Sequence, residues 1–193
     1  MTASADTPRP VGRPRDPQVD RAVMEATFAL LADQGYEGLT IEAVAHAAGV
    51  SKNAIYRRWP DKVTMVLDAI RSLAPHDDRE VDTGDIRADM ATMLRRVVSK
   101  MRQVDGRISL SLASDLQRHP ELGEAVRTQL VEPRRRELHD RVRRAVEAGQ
   151  LPADADVELL TDVGPALLFH RFVFDGVVPD DDYVERVLRQ FWS

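Results

Sequence analysis

Cysteine is absent from this 193-residue chain, which removes disulfides, thiol nucleophiles and every cysteine-based zinc site, and gives no sign of an oxidising compartment. No run of 18 apolar residues occurs, so nothing reads as a membrane span. The first residues also lack the apolar core of a signal peptide. A cytoplasmic location with no membrane partner is the expectation. The five histidines, His46, His76, His119, His139 and His170, show neither HxxxH nor HExxH spacing, and there is no GxSxG and no Gly-rich phosphate loop. Neither an enzyme nor a cofactor or metal is therefore expected. The carboxylate runs Asp77, Asp78 and Asp180 to Asp182 read as solvated turns. Convincing alternating strands and internal repeats are missing too. With 43% hydrophobic residues, wholesale disorder is excluded, and what remains is an all-α chain.

The informative stretch is GYEGLTIEAVAHAAGVSKNAIYRRWPDK, Gly35 to Lys62. Ile41, Val44, Ala45 and Ala48 fall at i, i+3, i+4 and i+7, an apolar helical face opened by Thr40 as N-cap with Glu42 at the positive end of the dipole. Gly49 supplies a left-handed terminus, Val50 packs the turn, and Ser51 caps a second helix from Lys52 to about Trp59, stopped by Pro60. Two helices joined this tightly cross steeply, as in a helix-turn-helix spanning about 40–59. At about 100° per residue, Lys52, Asn53, Tyr56 and Arg57 share one side of the second helix and Ile55 and Trp59 another. The first side suits double-stranded DNA: cations for phosphate or guanine, Asn53 for an adenine edge, a tyrosine hydroxyl at phosphate height.

An earlier helix supports the layout. Asp16 caps it, Pro17 fits its first position, and Val23, Ala26, Leu30 and Leu31 make a stripe ending before Gly35, with Phe28 and Tyr36 closing a small core. Residues 1–15 have no periodicity and read as a disordered arm. Arg13 and Arg15, in GRPR, suit insertion into a minor groove, and a plain flexible tail fits the same four residues.

The motifs GLT and AxxAGVSKxxIYRRWPxK, with the amphipathic helix before them, resemble the DNA-binding domain of the TetR family of transcriptional regulators. The resemblance covers about the first 75 residues and is gap-free through Gly35 to Lys62. It implies a three-helix domain, 16–75, whose third helix reads the major groove. Its DNA-contacting places fall on Thr40, Ser51, Lys52, Asn53, Ala54, Tyr56, Arg57, Trp59 and Lys62. Thr40, Tyr56 and Lys62 would grip phosphates, Lys62 at the start of a helix capped by Asp61. Lys52, Asn53 and Arg57 would read bases. Glu42 departs from the pattern, standing where some relatives carry a cation.

The net charge of −5 belongs to the second part, because residues 1–60 hold seven Lys and Arg against seven acids. A half so poor in cations should bind DNA firmly only in two copies. Residues 76–193 read as a helical bundle. Val63, Val66, Leu67 and Ile70 continue a linking helix, and Pro75 to Gly84 is the expected boundary loop. A helix runs from Ile86 to about Gln103, and another from Ile108 to Leu116. Glu121 to Gly149 forms a long helix bent or split near Pro133. Arg134, Arg135, Arg136, Arg141, Arg143 and Arg144 on it are read as a solvated face paired with Glu132, Glu137, Asp140 and Glu147. The last two helices, about Val157 to Asp175 and Asp181 to Trp192, carry apolar residues on more than one side, with Gly164 and Pro165 allowing close approach and a kink.

In the family resemblance these two helices form a four-helix interface with a second subunit, expected here on Leu160, Val163, Leu167, Tyr183, Val187 and Phe191. Such a homodimer would meet a palindromic operator and act as a repressor, released when a small-molecule effector enters the larger domain. The pocket walls expected are Met90, Met93, Leu94, Met101, Leu112, Leu116, Phe169 and Phe172, with His170 or Arg171 as polar anchor. Met and Phe at helical spacing also make plain core. The competing reading is a helical small-molecule carrier or adaptor without operator binding.

Overall fold

The computed structural model describes residues 16–73, 82–102 and 106–192, and these form ten α-helices and one π-helical turn with no strand among the described residues. Helix α1 (Pro17–Gly38) starts as its sequence dictates, with the Asp16 carboxylate accepting from Gln18 N at 3.0 Å and Pro17 in the first turn. It breaks at Gly35, whose φ of 68° and ψ of 179° only glycine adopts without strain, and Tyr36, just past the break, is buried. In α2 (Ile41–Ala48) Thr40 Oγ1 accepts from Ala43 N at 3.1 Å. Gly49 closes α2 in the left-handed region, φ 67°. Helix α3 (Lys52–Tyr56), capped by Ser51 Oγ on Ala54 N at 3.2 Å, is one turn shorter than the expected reach to Trp59. Arg58 N and Trp59 N both donate to Ile55 O, at 2.8 and 2.9 Å, and the chain tightens into a turn before Pro60. Asp61 caps α4 (Lys62–Leu73) through Thr64 N at 2.7 Å.

Two hydrophobic cores result. Val23, Leu31, Tyr36, Leu39, Val44, Ile55, Trp59, Met65 and Val66 build the first, and it reaches well beyond the first four helices. Leu112 and Leu116 of α6 (Gly106–Arg118), Leu122 and Val126 of α7 (Pro120–Val126) and Leu130 pack into it as well. The second core joins α5 (Ile86–Met101), α8 (Glu132–Glu147), α9 (Val157–Val173) and α10 (Asp181–Phe191) around Met90, Leu94, Leu168, Leu188 and Trp192.

The long helix of the sequence reading is α7, a π-helical turn (Arg127–Val131) and α8. The break precedes Pro133, whose missing N–H and ring prevent regular pairing with the preceding turn; the extra residue of a π-turn absorbs that mismatch. Helix α9 contains Pro165 beside a buried Gly164, where a Cβ would come within 3.0 Å of Trp192 and 3.1 Å of Leu94. The expected close approach is thus against α5 and the C-terminal tryptophan. The boundary loop lies largely outside the described residues, as do Asp77 and Asp78; Asp180 is the cap of α10, accepting from Tyr183 N at 2.8 Å.

Candidate nucleic-acid interface and effector cavity

Helix α3 divides by face as its spacing requires. Ile55 is fully buried, Ala54 half-buried, and Lys52, Asn53, Tyr56 and Arg57 are exposed, Tyr56 by 50%. Thr40 and Ser51 lie on the same surface, their hydroxyl oxygens engaged in capping. Trp59 departs from the expected contact set: only 5% exposed, it sits in the first core and donates Nε1–H to Asp68 Oδ2 at 2.8 Å. An indole on the Ile55 side of a short helix is drawn into the core by its apolar area and can do so because Asp68 satisfies its one polar atom. Arg13 and Arg15 lie outside the described residues.

The cations around this surface have been put to different uses. Arg58 is drawn inward, paired with Asp20 and donating to Ala54 O at 3.2 Å. Lys62 donates Nζ–H to the carbonyl oxygens of Tyr36 and Leu39, at 2.8 and 3.0 Å, and lies 4.1 Å from the centre of the Tyr36 ring. Burial pushes its pKa down, and the nearby carboxylates only partly oppose this. In this conformation Lys62 ties the start of α4 to the corner after α1. Lys52 is ion-paired with Glu42 at 2.8 Å on the open surface; the hydrogen bond holds the carboxyl below its usual range and raises the ammonium. Arg57 is exposed, and no carboxylate among the described residues pairs with it.

Sequence profiles match in both halves. Residues 23–69 fit bacterial regulatory proteins of the tetR family, and residues 80–191 fit the tetracyclin repressor-like C-terminal domain. The chain belongs to the TetR family. Its members are DNA-binding transcriptional regulators rather than enzymes. A relative from Mycobacteroides abscessus, the DNA-binding transcriptional repressor TetR, is 28% identical over 86% of this chain and 88% of its own. The TetR-family transcription regulator SCO0332 is 32% identical, with a TM-score of 0.62 over 90% of this chain and 96% of that one. AibR, solved in complex with isovaleryl coenzyme A and operator DNA, shares the fold at 14% identity, with a TM-score of 0.61 over 90% of this chain and 98% of its own.

In this TetR-family protein a polar corner at the edge of the first core joins α1 to α4, α6 and α7. Asp115 of α6, 5% exposed, accepts from Tyr36 N at 2.9 Å, next to the unusual backbone of Gly35. The Tyr36 ring faces His119, at the head of α7, with centroids 4.7 Å apart, and carries Lys62 on its face. Burial is the largest cause that raises the Tyr36 pKa. One residue thus contacts α6, α7 and α4 together. Sequence reading placed Tyr36 in the small core and missed Asp115, because an acid 79 positions away carries no local signal.

A cavity of about 380 Å³ opens on the other side of α7. Ile70, Met93, Val97, Val126, Leu130, Leu138 and Pro165 make its apolar walls, with Thr161, Asp162, Arg134, Arg135, Glu137 and Arg141 among its polar groups. Of the expected wall residues only Met93 lines it. Met90, Leu94, Met101 and Phe172 are buried in the second core, and Leu112 and Leu116 pack against the first. Phe169 is 43% exposed, His170 is exposed, and Arg171 stacks on Tyr183 at 4.6 Å. The walls come from α4, α5, α7, the π-turn, α8 and α9 together, and the Arg-rich sequence of the π-turn and α8 hid the apolar Leu130 and Leu138 behind its charges. Arg135 links α8 to α9 at the cavity edge, through Asp162 at 2.8 Å and Glu158 at 3.0 Å, while Arg143 pairs with Asp140 and Glu147 on its own helix as expected.

The residues expected at a subunit interface differ in their burial within the single chain. Val187 is buried in the second core, and Leu160, Val163, Leu167, Tyr183 and Phe191 are half-buried against it. Leu159, Phe169, Phe174 and Val177 are the large apolar side chains left exposed at this end. Among the described residues no helix is long and apolar enough to cross a membrane.

Proposed function

We propose that the protein is a repressor that binds a palindromic operator as a homodimer and releases it when a small molecule fills the cavity beside α7. The observation that carries the reading is the division of α3, with Ile55 buried and Asn53, Tyr56 and Arg57 left exposed at the end of a rigid, capped helix-turn-helix. Those side chains match base edges and phosphates in a major groove. Arg57 and Asn53 are assigned to bases, Tyr56 and Thr40 to phosphates. Ser51 and Ala54 lie at the approach to the backbone.

A dimer is supported by the outer side of α9, where Leu159, Ala166 and Phe169 are exposed together and Phe174 extends the strip. Two-fold pairing there would present two recognition helices on the order of 34–36 Å apart, one turn of duplex. Release is supported by the cavity's position: Ile70 of α4 and Val126 of α7 line it, and both helices reach the Tyr36 corner. A ligand preferring the helix positions that DNA rejects needs a coupling of about 1–3 kcal/mol to weaken binding roughly 5–150-fold. AibR, bound to isovaleryl coenzyme A and operator DNA, gives a precedent on this fold.

Thermal-shift screening of apolar compounds tests the reading. Compounds that raise the melting temperature should release operator DNA, and Val97→Trp, which fills the cavity, should abolish both effects while leaving DNA binding intact. Stabilising compounds whose effect survives in Val97→Trp would place the effector elsewhere.

A further inference from the structure

Of the four cations between Ser51 and Lys62, Arg58 and Lys62 are turned onto the protein itself, leaving Lys52 and Arg57 on the open surface. One of these two is matched by an acid. Glu42, in the first turn of α2, holds Lys52, the first residue of α3, at 2.8 Å across the helix-turn-helix. The pair is wet, with side chains 53% and 62% exposed, so its net stabilisation is small and it serves the fold little. Its geometry is nevertheless reproducible, because the Thr40 cap, the Gly49 turn and the Ser51 cap fix the two helix starts relative to each other.

We infer that Glu42 is a specificity-determining residue: its carboxylate competes with DNA phosphate for the Lys52 ammonium, and only a duplex seated in the correct register displaces it. The inference rests on the DNA-binding reading above. Non-specific complexes are held by phosphate neutralisation, so an intramolecular anion on one of the two open cations of this segment weakens them. The remaining carboxylate charge also lies within a Debye length, about 8 Å at physiological salt, of any phosphate reaching Lys52. A specific complex loses less, because base contacts from Asn53 and Arg57 fix the register in which a phosphate reaches the Lys52 ammonium and displaces the carboxylate, whereas a complex in arbitrary register leaves the pair in place and forgoes that phosphate contact. Glu42 thus lowers affinity for arbitrary sequence more than affinity for the operator.

The test compares the full-length protein with Glu42→Gln, Lys52→Gln and the double variant, by fluorescence anisotropy on a selected operator duplex and a scrambled duplex across a salt series. Circular dichroism confirms folding, which an exposed Glu42 leaves undisturbed. Glu42→Gln should tighten binding to scrambled duplex about fivefold or more and to operator by less than about threefold. The slope of log K against log salt on scrambled duplex should steepen by about 0.9 per subunit. The gain should vanish in the double variant, since it acts through Lys52. An unchanged ratio between the duplexes, or weaker binding to both, would overturn the inference while leaving the regulator reading in place, provided the unaltered protein discriminates operator from scrambled DNA. Equal binding of both duplexes by the unaltered protein overturns the regulator reading and this inference together.

Discussion

Tyr56 and Trp59 stand three residues apart and have opposite fates. Tyr56 leaves the protein surface and Trp59 enters the core, its indole N–H given to Asp68. Truncating Trp59 to Ala should therefore cost about 3–5 kcal/mol in thermal or urea unfolding. Tyr56→Ala should change stability by no more than about 0.5 kcal/mol while weakening operator binding about tenfold, measured by anisotropy. A stability loss from Tyr56→Ala comparable to that from Trp59→Ala would contradict the orientation of α3. At this scale the sequence was most legible where the controlling interactions are local. Thr40, Ser51, Gly49 and Asp61 act on residues within a few positions, and each does what its type and place require. Lys62 was legible in position and not in partner, since its carbonyl acceptors are exposed by the non-helical corner at Gly35, which hydrophobic periodicity does not encode.

Among the elements, α6 and α7 tie the Tyr36 corner to the rest of the first core, and α7 extends it to the cavity. Helix α7 offers Leu122 to the first core, Val126 to both the core and the cavity, and its leading His119 to Tyr36. Asp115→Ala would leave the Tyr36 N–H without its partner in a buried corner, a cost of about 1–3 kcal/mol. Because the same bond ties α6 to the corner that holds Lys62, the variant should also show a smaller ligand-induced drop in operator affinity than the parent protein. Parallel melting and titration experiments check both effects; full ligand response in a destabilised Asp115→Ala protein would show the corner to be structural only. Helix starts and stops in this half were readable from Asp, Pro and Gly, and the break before Pro133 appeared where proline requires it. Which apolar residues surround a cavity was not readable, because Met and Leu at helical spacing serve core and cavity alike, and the difference lies in how α5, α8 and α9 pack.

For the molecule as a whole, the charge division explains how an acidic protein, net −5, can approach DNA: the binding half is neutral and its cations are few and placed. On the proposed reading such a surface acts in two copies, and the exposed strip on α9 is where the second joins. Phe169→Asp should yield monomers in analytical ultracentrifugation and lower operator affinity at least 100-fold, with little loss of monomer folding because Phe169 is 43% exposed. The existence of α9 and α10 was plain in sequence, and so was the apolar face of α10, while that of α9 was not: α9 is apolar nearly all round, so periodicity cannot tell an inward Leu168 from an outward Phe169. The most direct measurement is selection of the purified protein on random-sequence duplex pools, sequenced after rounds at two salt concentrations. A dimeric repressor of this build enriches a near-palindrome with half-sites one helical turn apart and binds it with affinity that falls steeply as salt rises. Failure to enrich any sequence, with binding lost at physiological salt, would contradict it.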